Sequence, residues 1–191
     1  NLLTILDVSA NTALTELYCQ QNQLTSLSVN TNISLTDLNC GWNLLASIDV
    51  SQNTLLTYLS CAYNNITILD VSNNTVLTLL FVQQNQLTSL DVSNNIALDR
   101  LQCGDNQLTS LDVSNNIVLT GLLCSENQLI NLDVSGATAL TELSCRINQL
   151  TNLDVSQNIV LTSLSCWGNQ LTSLDLRNGN NTNLYSFYAT S

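Results

Sequence analysis

From Leu3 to Leu176 the apolar residues fall into columns that return every 21 residues without a slip. One column reads Leu6, Leu27, Ile48, Leu69, Leu90, Leu111, Leu132, Leu153 and Leu174. Two residues further on, a second reads Val8, Val29, Val50, Val71, Val92, Val113, Val134 and Val155, closed by Leu176. A third set, Leu14, Leu17, Cys19 and Leu24 in the first copy, recurs in the same way. Each period holds two shorter units, such as "LTELYCQQNQ" and "LTSLSVNTNIS". In both, Leu alternates with Cys or Val across a variable residue. A period of two puts successive side chains on opposite faces and predicts a short strand with one buried face. Asn follows each strand, often beside Gly, Ser or a second Asn, which is turn chemistry. Neither half holds the ten or so residues of 3.6-residue periodicity that a helix requires.

Stacked, these units predict a mainly β solenoid of about nine coils, with two parallel β-sheets, two corners per coil and little or no helix. Coils about 4.8 Å apart make a rod of roughly 40 Å. No coil can bury its apolar edge alone, so each is stabilised by the coils above and below. The solenoid domain is expected over 1–176. In 177–191, "RNGNNTNLYSFYATS", the register gains two residues and then offers Leu184, Phe187 and Ala189 in the places of Leu, Leu and Cys. This reads as a degraded terminal repeat and a candidate seam to a following domain.

The unit L-x-x-L-x-(L/C)-x-x-N-x-L resembles the leucine-rich repeat family. The nested 21-residue form, with Cys in the first strand and "LD(L/V)" in the second, is similar to a bacterial subclass of it. The resemblance implies a secreted or surface-displayed module that binds other molecules rather than transforming them, often within a longer chain. It also implies that the outward slots of the Leu-x-Cys strand face the ligand. Those slots are where the copies differ. They hold Tyr18, Trp42, Tyr58, Tyr63, Phe81 and Trp167, every aromatic before the tail, with Arg100 and Arg146. Exposed aromatics with Arg are the composition of recognition surfaces, and Tyr and Trp faces also stack on sugars. A protein or glycan partner is therefore expected there, with contact centred on the first four repeats.

The remaining columns are more uniform. Asn22, Asn43, Asn64, Asn85, Asn106, Asn127, Asn148 and Asn169 occur in every copy. A second Asn column runs from Asn11 through Asn116 to Asn158, with Ala137 interrupting it. Both read as inward amides that bond turn backbone. Cys19, Cys40, Cys61, Cys103, Cys124, Cys145 and Cys166 share a column with Val82, so the position calls for a small apolar group. Neighbouring parallel side chains suit neither a disulfide nor a tetrahedral zinc site. An Asp column, Asp7, Asp49, Asp70, Asp91, Asp112, Asp133, Asp154 and Asp175, is replaced once, by Ser28. Like charges at the coil spacing repel by roughly 0.8 kcal/mol per pair in water. The expected offset is hydrogen bonding to Ser or turn amides. The alternative is a structural or adhesive rod with Ca²⁺ bridging Asp49, Asp70, Asp91, Asp112, Asp133 and Asp154. Two Thr columns suit strand edges, and a regular Thr array leaves an ice-binding surface as a lesser alternative.

Composition narrows the rest. The chain has 191 residues, 45% of them hydrophobic, a formal charge of −11, no His, and three basic residues, all Arg. Such a surface repels nucleic acid and anionic membrane. No apolar run approaches a transmembrane length, and no signal peptide opens the segment. There is no His, no carboxylate pair that departs from the repeat, no Gly-rich phosphate loop and no Ser nucleophile with a base, so catalysis is not expected. A non-enzymatic module, monomeric or part of a larger chain, is the expectation, with no cofactor beyond the candidate Ca²⁺.

Overall fold

A computed structural model describes residues 1–177 and 183–190. Among the described residues, eleven three-residue strands follow one another: β1 (Glu16–Tyr18), β2 (Asp37–Asn39), β3 (Tyr58–Ser60), β4 (Leu79–Phe81), β5 (Arg100–Gln102), β6 (Gly121–Leu123), β7 (Glu142–Ser144), β8 (Asn152–Asp154), β9 (Ser163–Ser165), β10 (Ser173–Asp175) and β11 (Ser186–Tyr188). Nine of them form one parallel sheet in the order β1-β2-β3-β4-β5-β6-β7-β9-β11. From β1 to β9 each residue pairs with the one 21 later, as Leu17 with Leu38 and Leu143 with Leu164. At β11 the offset becomes 23: Phe187 pairs with Leu164, so the two extra residues are absorbed between the coils. The solenoid has about eight turns.

The core follows the columns. Leu35, Leu38, Leu45, Leu56 and Leu59, and their equivalents in later coils, are fully buried, as are Val29, Val92 and Val113. The thiols lie among them: Cys40, Cys61, Cys103 and Cys124 are wholly buried, and all seven cysteines are free. Burial pushes the Cys61 and Cys103 thiols up to about 12. They are therefore protonated and inert at neutral pH, and act as small apolar groups.

The second wall departs from a full second sheet. Among the described residues, regular pairing there is confined to β8 with β10, plus one isolated parallel bridge between Asp112 and Asp133. Most other Leu-Asp-Val segments form no ladder. A local bond recurs along this wall: Oδ1 of each Asp accepts the N–H of the residue two further on. Ser51 to Asp49, Ser72 to Asp70, Ser93 to Asp91 and Ser114 to Asp112 are each 2.9 Å. The same bond is present in the paired strands, from Ser156 to Asp154 and from Arg177 to Asp175, so it accompanies the ladder as well as its absence.

The corners differ as well. At the corner after the long sheet, the ladder Asn uses its whole amide. Nδ2 of Asn127 donates to the carbonyls of Cys103, Cys124 and Ser125, and its Oδ1 accepts the Leu108 N–H at 2.9 Å. At the other corner, two consecutive turns are closed by Asn116 N–H to Val113 O and Leu119 N–H to Asn116 O. Nδ2 of Asn116 donates to Val92 O and Asn95 O, but its buried Oδ1 has no partner. Asn32, Asn53, Asn74 and Asn95 repeat that arrangement.

Candidate recognition face

The outward face of the long sheet carries most of the variable residues. Tyr18 on β1 and Trp42 are both 53% exposed, while Tyr58, Tyr63, Phe81 and Trp167 are half-buried. The aromatics of the first coils are arranged in pairs. Trp42 and Tyr63 lie face to face, with ring centroids 3.7 Å apart and planes 11° from parallel. Tyr58 and Phe81 meet edge to face at 5.7 Å and 81°. Pairs of this kind are held beyond their area burial. The Tyr58 hydroxyl also accepts from Nδ2 of Asn39 at 3.3 Å. Tyr18, Trp42, Tyr58, Tyr63 and Phe81 thus fall within four adjacent coils.

Trp167 stands apart, four coils beyond Phe81. It lies under the guanidinium of Arg146, 5.7 Å from its ring centroid, and Arg146 also reaches Glu126 at 3.4 Å. Arg100 pairs with Glu142 at 2.6 Å, two coils away. It reaches that far because Gly121 stands between them: a Cβ there would come within 3.0 Å of the guanidinium carbon. The structure therefore divides the predicted residues into an aromatic half and a charged half.

Not every variable slot is open. In the column that follows Cys, Ala62 is 4% exposed and Ser125 9%, and Gly41 and Gly104 are buried. At these four positions the column forms a floor, because a side chain there meets the neighbouring coil, while Gln20 and Arg146 in the same column are exposed. A Cβ on Gly104 would stand 2.9 Å from the Ser125 carbonyl oxygen.

The next column has a backbone that the sequence does not announce. Gln21, Trp42, Tyr63, Gln84, Asp105, Glu126 and Ile147 all have φ between 51° and 57°, and Gly168 has 69°. The left-handed region costs a non-glycine residue roughly 1–2 kcal/mol. It is imposed here by bonds between coils, as Trp42 N–H to Ala62 O and Asn43 N–H to Tyr63 O. The kinked backbone sets Trp42 and Tyr63 side by side. Gly168, the one glycine of the column, is the sequence signal for it.

The uniform wall supplies the other predicted group. The Asp carboxyls of Asp49, Asp70, Asp91, Asp112 and Asp133 are held below the usual carboxylate range by the Ser N–H and hydroxyl beside each. Asp154 accepts the Ser156 N–H at 2.8 Å in the same way. Among the described residues no three carboxylates, thiols or imidazoles gather as a metal would need. The Thr hydroxyls beside the long sheet are also engaged: Thr57, Thr78, Thr141 and Thr162 donate to the carbonyl of the residue one coil earlier, at 2.9–3.2 Å.

The coil geometry can be set against known proteins. No family model matches the chain, and no curated protein matches it. Solved structures do. The functional domain of InlJ from Listeria monocytogenes, which includes a cysteine ladder, is 44% identical over the whole of this chain, with a TM-score of 0.80. This chain is a leucine-rich repeat protein. YopM from Yersinia enterocolitica is 27% identical over 93% of the repeat protein, with a TM-score of 0.77. Internalin C2 from Listeria monocytogenes is 22% identical over 88% with a TM-score of 0.74, a likeness of fold. The repeat protein spans 47% of the InlJ domain, 38% of YopM and 74% of internalin C2. Among its described residues no helix is long and apolar enough to cross a membrane.

Proposed function

We propose that this leucine-rich repeat protein is a non-enzymatic recognition module, secreted or displayed on a cell surface, that binds a protein through the outward face of its long sheet. The observation that carries the reading is the rigid aromatic patch of Tyr18, Trp42, Tyr58, Tyr63 and Phe81, fixed in pairs on four adjacent coils. Large aromatics held in place lose little entropy on binding, which is how hot spots are made. The wall opposite repeats Ser and Asp and supports no comparable contact. A protein partner is favoured over a glycan because the stacked Trp42–Tyr63 pair leaves only one face of each ring for a sugar to stack on. A non-catalytic role is supported by the sealed, protonated thiols and by carboxylates that are engaged with their own turns.

The test is a binding screen against extracellular proteins and a glycan array with the wild-type chain, the Trp42→Ala/Tyr63→Ala variant and a control altered on the other wall, Asp112→Ser. A protein hit weakened about tenfold or more by the aromatic change, and unchanged by the control, supports the reading. Binding indifferent to the aromatics, or confined to glycans, sinks it.

A further inference from the structure

The charged half of the recognition face holds a notch of about 270 Å³, lined by Gln83, Gln102, Gly104, Asp105, Leu123, Ser125, Ser144 and Arg146. It opens where Gly104 supplies no side chain. Its polar lining is biased towards acceptors. Oε1 of Gln83 is fully buried and has no hydrogen-bond partner. The Asp105 carboxylate is the acid among the lining residues, and Glu126 stands one coil beyond it in the same column. The one cation of the lining, Arg146, is drawn aside to Glu126 and to the Trp167 ring. The Ser125 and Ser144 hydroxyls bond each other at 2.8 Å, and each oxygen retains lone-pair capacity for a further donor. Leu123 supplies an apolar wall.

A buried acceptor with no donor is costly, and a ligand that donates to it recovers the loss. An anion would meet Asp105 and the bare Gln83 oxygen, so it is disfavoured. A guanidinium is planar and suits paired acceptors, whereas separate single acceptors around a small notch suit an ammonium with three divergent donors. We propose that this notch receives the side-chain ammonium of a lysine on the protein partner, with the lysine stem against Leu123. The formal charge of −11 attracts such a partner at long range. In its present state Glu126 is raised above its usual range by its hydrogen bond to Asp105 and by that residue's charge. A bound ammonium relieves that opposition.

The inference rests on the recognition reading above, but its test does not need the partner. N-acetyl-lysine methylamide, its norleucine analogue and its arginine analogue are titrated into isotope-labelled protein while amide shifts are followed. The expected result is millimolar binding of the lysine probe, with shifts at Gln83, Gln102, Leu123 and Ser144, and no comparable effect from norleucine. Gln83→Ala and Asp105→Asn should each weaken it about tenfold, the loss of one charge-assisted bond. Alanine is tolerated in that column, where it stands at position 62, and the amide spectrum verifies that each variant is folded. The Trp42→Ala/Tyr63→Ala variant should bind the probe unchanged, so that loss of a partner through the aromatics and loss of the notch are separate results. Equal binding of norleucine, preference for arginine, shifts elsewhere, or indifference to both substitutions overturns the proposal.

Discussion

The two walls are made from nearly the same pattern of Leu and a small apolar residue, yet only one becomes a continuous sheet. On the long-sheet wall, backbone N–H groups pass from coil to coil. They run from Cys40 to Ser60 and from Cys103 to Leu123, and at the corner Asn85 donates to Asp105. On the other wall the Asp of Leu-Asp-Val takes the N–H of its own turn, and regular pairing between coils is short. The wall with the continuous ladder has free outward slots, and these vary. The wall that binds itself locally needs the same Asp and Ser in nearly every copy, and these hardly vary. Residue identity is held constant where a side chain supplies the hydrogen bonds and is released where the backbone does. On the proposed reading, the variable, aromatic-bearing face is therefore the one that meets the partner.

The corners sharpen the same contrast and give the largest expected effect. Asn127 fills both roles of its amide, so Asn127→Ala strands the buried Leu108 N–H and weakens three carbonyl contacts. Each abandoned buried group costs roughly 1–3 kcal/mol, so a loss of about 3 kcal/mol or more is expected. Asn116→Ala removes two donations but also a buried oxygen that had no partner, and a loss of about 1 kcal/mol is expected. Urea midpoints of the two variants make the comparison, and equal losses would break it. The chain has itself performed the second change: Ala137 stands in this column, and nothing interrupts the other.

That natural exception is not one residue but two. Beside Ala137 stands Gly136, where a Cβ would come within 2.1 Å of the Ser114 carbonyl oxygen. The turn has closed toward the preceding coil, with the Thr138 N–H bound to Gly136 O. Gly136→Asn alone therefore forces the backbone apart and should destabilise by about 2 kcal/mol, as overpacking does. Gly136→Asn with Ala137→Asn restores the sequence of neighbouring coils and should recover most of that loss. A double variant no more stable than the single one would show that the corner is indifferent to its Asn.

On the long-sheet side, the left-handed column offers a smaller effect of opposite sign. Ile147 is β-branched at φ 51°, a conformation that glycine adopts without penalty. Gly168 already does so one coil on. Ile147→Gly should raise stability by about 1 kcal/mol, the strain relieved less the entropy of glycine. Thermal melting reads it, and a fall in melting temperature would mean that Ile147 packing outweighs its backbone strain.

Most of the architecture was legible because it is carried by repetition. The 21-residue register, the sealed Leu, Val and Cys columns and even the shifted pairing of Phe187 follow from alignment of the chain with itself. The aromatics and arginines were legible as a set. Their division into an aromatic half and a charged half was not, since pairings such as Trp42 with Tyr63 or Arg100 with Glu142 depend on side-chain direction across coils. The short second sheet was hidden for a related reason. The alternation of Leu and Val is the same in every copy, so nothing in the pattern separates the paired segments β8 and β10 from the others. The notch was equally hidden, because it is made by the side chain that Gly104 lacks and by one uncompensated oxygen on Gln83.

The smallest effect at neutral pH separates the walls by proton chemistry. Asp49, Asp70, Asp91, Asp112 and Asp133 have their folded values lowered from 3.8 by the Ser amides and hydroxyls. Their contribution is complete above the unfolded value and is lost as pH falls through the lower folded one, below about 4. Cys61 and Cys103 are displaced the other way, up to about 12. Their contribution is complete below an unfolded value of about 8.5 and is lost as pH rises toward the folded one. Acid should therefore loosen the Asp wall first, and alkali the core behind the long sheet. Amide exchange at Ser72, Ser93 and Ser114 should accelerate in acid before that at Leu80, Leu101 and Leu122, while thiol alkylation should begin only well above pH 9. Asp112→Ser, the residue found at position 28, should leave the midpoint at pH 7 nearly unchanged and make the acid limb less steep. An unchanged acid limb would mean that these carboxylates gain nothing from their turns, and the account of why this wall keeps its Asp in copy after copy would fall.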